Sequence, residues 1–212
     1  MVLSRDRWLR WVGKPVVHAL AAAPLALLAG RTFWHPELLG ANPVTTIIDQ
    51  LGLWALRLLL VTLALTPLRY LTHSSAWLLY RRLLGLWAAT YAFLHLLMYV
   101  VVDQRLDIRV LLEDVLKRPW ITVGFAAVLI LLALTVTSTR GMMRRLGRRW
   151  QTLHYGVYVA AVGGVWHYWW QVKKDIRAPI AYAAVFALLM GYRGARRWLK
   201  ARSAPATAPG RI

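Results

Sequence analysis

Residues 148–170 read RRWQTLHYGVYVAAVGGVWHYWW, and this stretch combines the features that decide the fold of the chain. Two arginines precede a long run of apolar and small side chains, and aromatic residues close it. A run of this kind, with a basic flank and tryptophan at its end, is typical of a membrane-spanning helix. Two histidines, His154 and His167, lie within the run, although ionisable side chains are costly in a membrane and usually serve a function there.

The composition of the whole chain is that of a membrane protein. Of its 212 residues 59% are hydrophobic, and the mean hydropathy is +0.47. The net charge of +19 comes from short basic segments between apolar runs, a pattern that suits a bilayer and argues against nucleic-acid binding. Because the chain has no cysteine, disulfides, thiolate-ligated iron–sulfur clusters and covalently attached c-type haem are excluded, and histidine is the principal soft-metal ligand.

Hydropathy predicts six membrane spans joined by short loops. The N-terminal segment resembles a signal peptide, but its apolar run continues to Trp34 without a convincing cleavage site, so we expect it to remain as the first span. No internal repeat and no soluble domain is evident. The predicted fold class is all-α, a polytopic integral membrane protein with a six-helix transmembrane bundle at 15–198 between a basic N-terminus at 1–14 and a disordered tail at 199–212. The predicted spans cover residues 15–33, 47–66, 79–102, 120–138, 152–172 and 178–198.

The distribution of Lys and Arg predicts that both termini lie in the cytoplasm. Eighteen basic residues fall at the two termini and in the second-to-third and fourth-to-fifth loops, whereas eight fall in the segments on the other side. Seven of the eight acidic residues lie on that less basic side. The positive-inside rule places the more basic side in the cytoplasm, where it suits anionic lipid headgroups, and an even number of spans brings both termini there.

Four histidines lie within the predicted spans and form two pairs at matched depths. His18 and His154 lie within about one turn of the cytoplasmic edge, whereas His95 and His167 lie ~24 Å and ~22 Å into their spans. A neutral interhelical hydrogen bond is enough to explain one intramembrane histidine. Two depth-matched pairs favour another interpretation, the axial ligation of b-type haem by facing imidazoles.

The spacing of the two histidines in the fifth span raises a geometric objection. His154 and His167 are separated by ~3.6 turns, so an ideal helix would point them to different sides. Gly163-Gly164 lies between them and is the expected site of bending or local re-phasing.

Arg57 is the one charged residue near the middle of a predicted span. A midplane arginine is expensive, so we expect its guanidinium to face a partner inside the bundle, such as a haem propionate, a quinone oxygen or a flavin phosphate. Snorkelling to the interface is the alternative, but ~10 residues on either side make the reach long.

Four segments together resemble the MsrQ (YedZ) family of haem-binding membrane subunits. They read GANPVTTIIDQLGLWALRLLLVTLALTPLR, RRLLGLWAATYAFLHLLMY, KRPWITVGFAAVLILLALTVTS and LGRRWQTLHYGVYVAAVGGVWHYWW, and the resemblance runs from about residue 12 to residue 198. This family is part of the ferric reductase-like transmembrane group, which also includes the membrane domains of NADPH oxidases.

The resemblance implies a haem b protein of the bacterial inner membrane that passes electrons to MsrP. MsrP is a periplasmic molybdoenzyme that reduces methionine sulfoxide and so repairs oxidised periplasmic proteins. The family is also described as using FMN, with electrons drawn from the quinone pool or from a cytosolic flavin reductase. The chain lacks a cytosolic flavin or nucleotide domain, so the resemblance makes it an electron-transfer subunit rather than a complete enzyme.

The family's three haem-associated histidines match His95, His154 and His167. On the third helix, NADPH oxidase domains carry a second histidine, fourteen residues before the one that corresponds to His95. Here that position is Arg81, which cannot ligate iron. An inner haem would therefore need His18 or a five-coordinate iron, and one haem with FMN is the alternative to two haems. A secondary transporter or proton pathway that uses intramembrane histidines is the competing function, although the short broken helices and inverted repeats of such proteins are not evident.

Overall fold

The computed structural model describes residues 8–172 and 175–203, and every regular element within these ranges is a helix. The predicted N-terminal and C-terminal segments therefore lie partly outside the described residues. The helices are α1 (Lys14–Trp34), α2 (Pro43–Leu71), α3 (Leu78–Leu97), α4 (Ile108–Lys117), α5 (Pro119–Val136), α6 (Arg140–Leu146), α7 (Arg148–His154), α8 (Gly156–Gln171) and α9 (Arg177–Arg202). A π-helical turn at Leu9–Gly13 precedes α1, a second at Met98–Asp103 follows α3, and short 3₁₀ turns occupy Pro36–Leu39 and Ser75–Trp77.

Helical segments long and apolar enough to cross a membrane dominate the chain. Within the described residues there are five: Leu9–Trp34, Pro43–Leu71, Ser75–Asp103, Pro119–Val136 and Arg177–Arg202. The predicted all-α, polytopic membrane fold is thereby confirmed. The remaining predicted span, 152–172, is divided between α7 and α8, and the 16 residues of α8 extend over only ~24 Å. A sixth crossing stays a prediction.

The interruption between α7 and α8 lies at Tyr155, eight residues before the predicted position. The Tyr155 N–H donates to the carbonyls of both Gln151 and Thr152, at 3.2 Å each, and α8 then begins at Gly156. The expectation that Gly163-Gly164 would re-phase the helix is wrong, because α8 runs through both glycines. Gly163 instead allows close packing on α5, since a Cβ atom there would lie 3.3 Å from the Cβ of Ala127.

A buried tyrosine of α3 forms hydrogen bonds with the backbone of α1. The Tyr91 hydroxyl donates to the Ala21 carbonyl at 2.8 Å and accepts the Leu25 N–H at 2.9 Å, so it replaces a backbone hydrogen bond of α1. This insertion lies beside Pro24, where the ladder of backbone hydrogen bonds is already interrupted. Tyr91 has no exposed surface, and its hydroxyl satisfies two backbone groups that the membrane interior could not.

Two helix pairs, α2–α3 and α5–α8, are built alike. Both pairs contain buried alanines at matching positions: Ala88 and Ala89 in α3 recur 72 positions later as Ala160 and Ala161 in α8. Small side chains at such positions let helices approach closely in a membrane. The two pairs therefore repeat a structural pattern, although no internal repeat is evident from the sequence.

The helix α4 lies between the two pairs in the chain and differs from the others in its polarity. Asp107 caps its N-terminus by accepting the N–H groups of Arg109 and Val110 at 2.9 and 3.2 Å. One exposed stripe consists of apolar side chains four residues apart: Ile108, Leu112 and Leu116. An amphipathic helix with such a stripe is typical of the membrane interface.

Candidate functional site

His95 projects from α3 against the start of α2. Its Nδ1 atom lies 2.8 Å from the Ile48 carbonyl oxygen. The ring fits there because residue 52 is glycine: a Cβ atom on Gly52 would lie 3.0 Å from Nδ1 and 3.1 Å from Cε1. A carbonyl oxygen only accepts hydrogen bonds, so Nδ1 carries the proton and the Nε2 lone pair is available to a metal.

His167 has the same surroundings in the second helix pair. Its Nδ1 atom donates to the Trp120 carbonyl oxygen at 2.7 Å, at the start of α5. A Cβ atom on Gly124 would lie 2.6 Å from Nδ1 and 2.9 Å from Cε1. The three elements of the His95 site, namely carbonyl, glycine and imidazole, therefore recur 72 positions later, and each histidine follows its acceptor by 47 positions.

The two rings lie beside each other between the helix pairs. The centroids of the His95 and His167 rings lie 6.1 Å apart, and the ring planes meet at 79°. Because metal–imidazole bonds are ~2.0–2.1 Å long, one metal ion bound by two opposed imidazoles separates the ring centres by about 6 Å. The described residues contain no group of three or more His, Cys, Asp or Glu that could hold a metal ion. Two histidines with protonated Nδ1 atoms fit axial ligation of haem iron.

His154 lies at the end of α7, towards the other end of the bundle. Its Nδ1 atom donates to the Trp150 carbonyl within the same helix at 3.1 Å, and its ring stacks on Trp150 with centroids 3.9 Å apart. Its Nε2 atom lies 3.5 Å from the Ser138 hydroxyl. His154 thus has the same tautomer as His95 and His167.

His18 is held differently. The indole N–H of Trp87 can only donate, and it lies 3.0 Å from His18 Nδ1, so the proton of a neutral His18 ring is on Nε2. The residue is exposed at the surface of the bundle, whereas His154 is partly buried at the end of α7, with its Nε2 atom near Ser138, two residues after α5 ends. The predicted pair of His18 and His154 is therefore not brought together, while the pair of His95 and His167 is.

Arg57 finds protein partners inside the bundle. Its Nε atom donates to the Tyr182 hydroxyl on α9 at 2.8 Å, and its guanidinium lies 4.8 Å from the centroid of the Trp54 ring. Tyr182 in turn makes an edge contact with Tyr168 of α8, with ring centroids 5.6 Å apart. The predicted contact with an acidic group of a cofactor stays a prediction.

Gly52 and Gly124 are the site residues that the sequence analysis missed. Each lies four residues after the carbonyl that accepts from a histidine, and each leaves the space that the imidazole occupies. The common spacing from glycine to histidine, in two otherwise apolar helix pairs, was the signal that would have revealed them.

Comparison with known proteins shows the family of the chain. The chain matches the family of the ferric reductase like transmembrane component over residues 51–165, a range that includes both His95 and His154.

Curated relatives match nearly the whole chain. The protein-methionine-sulfoxide reductase heme-binding subunit MsrQ of Xanthomonas oryzae pv. oryzae (strain MAFF 311018) is 49% identical over 207 residues, which is 93% of this chain and 94% of the relative. The subunit of the same name from Bordetella pertussis is 45% identical over 189 residues, covering 87% of this chain and 90% of the relative. The chain belongs to the MsrQ family of ferric reductase-like transmembrane proteins.

Proposed function

We propose that this protein is a transmembrane electron-transfer subunit that holds b-type haem between His95 and His167. One observation supports the proposal most directly. Two imidazoles from separate helix pairs lie 6.1 Å apart, and each is oriented by a hydrogen bond from Nδ1 to a backbone carbonyl. The matched tautomers, which leave both Nε2 atoms unprotonated, favour metal ligation over a secondary transporter or proton pathway.

The residues of the chain provide ligation and orientation, and bound haem would supply one-electron chemistry. The carbonyls of Ile48 and Trp120 fix the tautomer of the histidines and make their Nε2 atoms better donors to iron. Gly52 and Gly124 keep the imidazoles close to these carbonyls. The surrounding apolar helices exclude water, which in general tunes the potential of a redox centre.

The position of the site supports electron exit at the less basic end of the bundle. Trp120 is the second residue of α5 and Ile48 the sixth of α2, so the histidines lie within about two helical turns of that end. We place this end in the periplasm and both termini in the cytoplasm, with the protein in the bacterial inner membrane. The acceptor is then an MsrP-like periplasmic molybdoenzyme that reduces methionine sulfoxide in oxidised proteins.

Electrons enter from the opposite, basic side in this proposal. The donor is the quinone pool or a cytosolic flavin reductase, and FMN belongs to the chain of carriers, as the family resemblance implies. A second haem would take His154 as its ligand in this proposal, because iron binding through Nε2 of His18 would require the loss of the hydrogen bond that its Nδ1 atom accepts from Trp87. With a single histidine, that second iron would be five-coordinate.

The visible spectrum of the purified protein tests the proposal. We expect a Soret band and dithionite-dependent α and β bands from a low-spin haem. His95→Ala and His167→Ala should each remove the same component, since losing either axial ligand destroys one site. His35→Ala is the matched control, because His35 is exposed and pairs with Glu37 outside the spans. A colourless protein after expression with excess haem, or two variants that remove different components, would overturn the assignment.

Electron delivery is tested separately. Pre-reduced protein in oriented vesicles should be reoxidised by an MsrP-like reductase added to the periplasmic side. Reoxidation from the cytoplasmic side alone would reverse the proposed topology.

A further inference from the structure

A groove of about 460 Å³ lies between α1 and α3 at the basic end of the bundle, away from the paired histidines. Lys14 and His18 line it from α1, and Arg82, Trp87 and Thr90 line it from α3. Arg82 precedes His95 by thirteen positions, a separation of ~20 Å along the helix axis. The groove is therefore distinct from the candidate haem site.

Apart from Thr90, the polar side chains that line the groove are donors or cations. The lysine and arginine side chains only donate. His18 accepts from Trp87 through Nδ1 at 3.0 Å, which leaves its Nε2–H as a donor. Thr90 uses its own hydroxyl proton within α3, where it donates to the Leu86 carbonyl at 3.0 Å. No carboxylate is among the described residues that line the groove, so none of these residues neutralises its positive charge.

The groove opens sideways at the level where a membrane span meets the headgroups. Lys14 is the sixth residue of the span Leu9–Trp34 and Arg82 the eighth of Ser75–Asp103, so both charges lie within about two turns of the ends of their spans. His18, Arg82 and Thr90 are exposed, and the wall between them contains leucine side chains such as Leu83. A ligand that reaches this opening along the bilayer plane has an anionic head and an apolar body.

We propose that this groove binds the phosphate of an anionic membrane phospholipid. Lys14 and Arg82 supply the charge, and the indole of Trp87 holds His18 in the tautomer that adds a hydrogen bond to a phosphate oxygen. Basic pockets between membrane helices generally bind anionic headgroups in this way. A soluble phosphate would use the same donors but would have no reason to prefer an opening that faces the lipid.

The test measures lipid retention by the full-length protein. The protein is reconstituted in nanodiscs of phosphatidylcholine that contain one-tenth phosphatidylglycerol, extracted, and analysed by native mass spectrometry for bound phosphatidylglycerol. We expect wild-type protein to retain one phosphatidylglycerol molecule. The double variant Lys14→Gln/Arg82→Gln should retain at least about tenfold less.

The control removes the same charge at the same end outside the groove. Arg144 and Arg145 are exposed on α6, so Arg144→Gln/Arg145→Gln should retain phosphatidylglycerol as the wild type does. Equal losses in the two double variants would overturn the proposal in favour of general surface attraction. Release of the lipid by millimolar inorganic phosphate would overturn it in favour of a soluble ligand. Trp87→Phe provides a second arm, because it leaves both charges but frees the His18 tautomer, and its retention should be intermediate.

Discussion

Replacement of Gly124 by alanine tests how the histidines are oriented. The added Cβ atom would lie 2.6 Å from Nδ1 of His167, whereas ordinary contacts begin at 3.4 Å. The imidazole must therefore move by about 0.8 Å away from α5. That movement weakens or breaks the 2.7 Å hydrogen bond to the Trp120 carbonyl, since both the carbonyl and the new methyl group belong to α5.

The expected consequence is weaker haem binding without loss of the fold. Removing the partner that orients a metal-bound histidine typically lowers metal affinity by ~10–100-fold. Gly52→Ala should have a smaller effect, because its Cβ atom would lie 3.0 Å from His95 Nδ1 and requires a shift of only about 0.4 Å. Alanine also favours a helix over glycine by ~1 kcal/mol, so general helix destabilisation is not the expected cause.

The assay is titration of the haem-free protein with haem, followed at the Soret band, with electron paramagnetic resonance to report the axial ligand geometry. Gly191→Ala is the control, because a Cβ atom at Gly191 in α9 meets nothing within 4 Å. Haem affinity should be highest in Gly191→Ala, lower in Gly52→Ala and lowest in Gly124→Ala. Wild-type affinity and unchanged resonance positions in Gly124→Ala would refute the proposed role of the glycines, and so would a reversed order of the two site variants.

Three further predictions concern other parts of the bundle. Tyr91→Phe leaves a carbonyl and an N–H group of α1 without partners, so it should lower the free energy of unfolding by about 1–3 kcal/mol in a denaturant titration and leave the haem spectrum unchanged. A loss below about 0.5 kcal/mol would contradict the role of the Tyr91 hydroxyl between these two groups. Arg57→Leu should lower the haem potential or cofactor content, because a nearby positive charge favours the reduced state. Tyr182→Phe removes only one hydrogen bond of Arg57 and should lower the potential less. Equal effects of the two variants in a redox titration would reduce Arg57 to a structural role. Glu113→Lys should slow reduction of a periplasmic partner in a salt-dependent manner. Asp114 is buried and binds Tyr99 and Arg118, so Asp114→Asn should lower stability instead. Partner kinetics that respond only to Asp114→Asn would refute this division.

The sequence predicted which histidines pair at the less basic end, because depth along a span follows directly from residue number. The same reasoning failed for His18 and His154, since depth does not give the direction in which a side chain leaves its helix. His18 points to Trp87 at the surface, and His154 packs on its own helix. Direction is set by tertiary packing, which hydropathy does not contain.

The interruption at Tyr155 and the insertion of Tyr91 were beyond the sequence for a related reason. Glycine pairs bend helices in many proteins, and so Gly163-Gly164 was the natural expectation. In this bundle Gly163 contacts α5 and Gly164 faces Leu56 of α2, and the phase between His154 and His167 changes at Tyr155, directly after α7 ends. A backbone hydrogen bond that is replaced by a distant tyrosine hydroxyl leaves no local pattern at all.

The repeated helix pairs also bear on the direction of electron flow. Each pair contributes one imidazole, one carbonyl and one glycine, so the two axial sides of the iron would be nearly equivalent in ligand chemistry. Two equivalent ligands do not by themselves favour electron transfer in one direction. The direction of electron transfer must be set by positions where the two helix pairs differ. One such position is Arg57, whose counterpart 72 positions later is Leu129 on the outer surface. Vectorial transfer in this protein would then originate in broken symmetry around the ligands rather than in the ligands themselves.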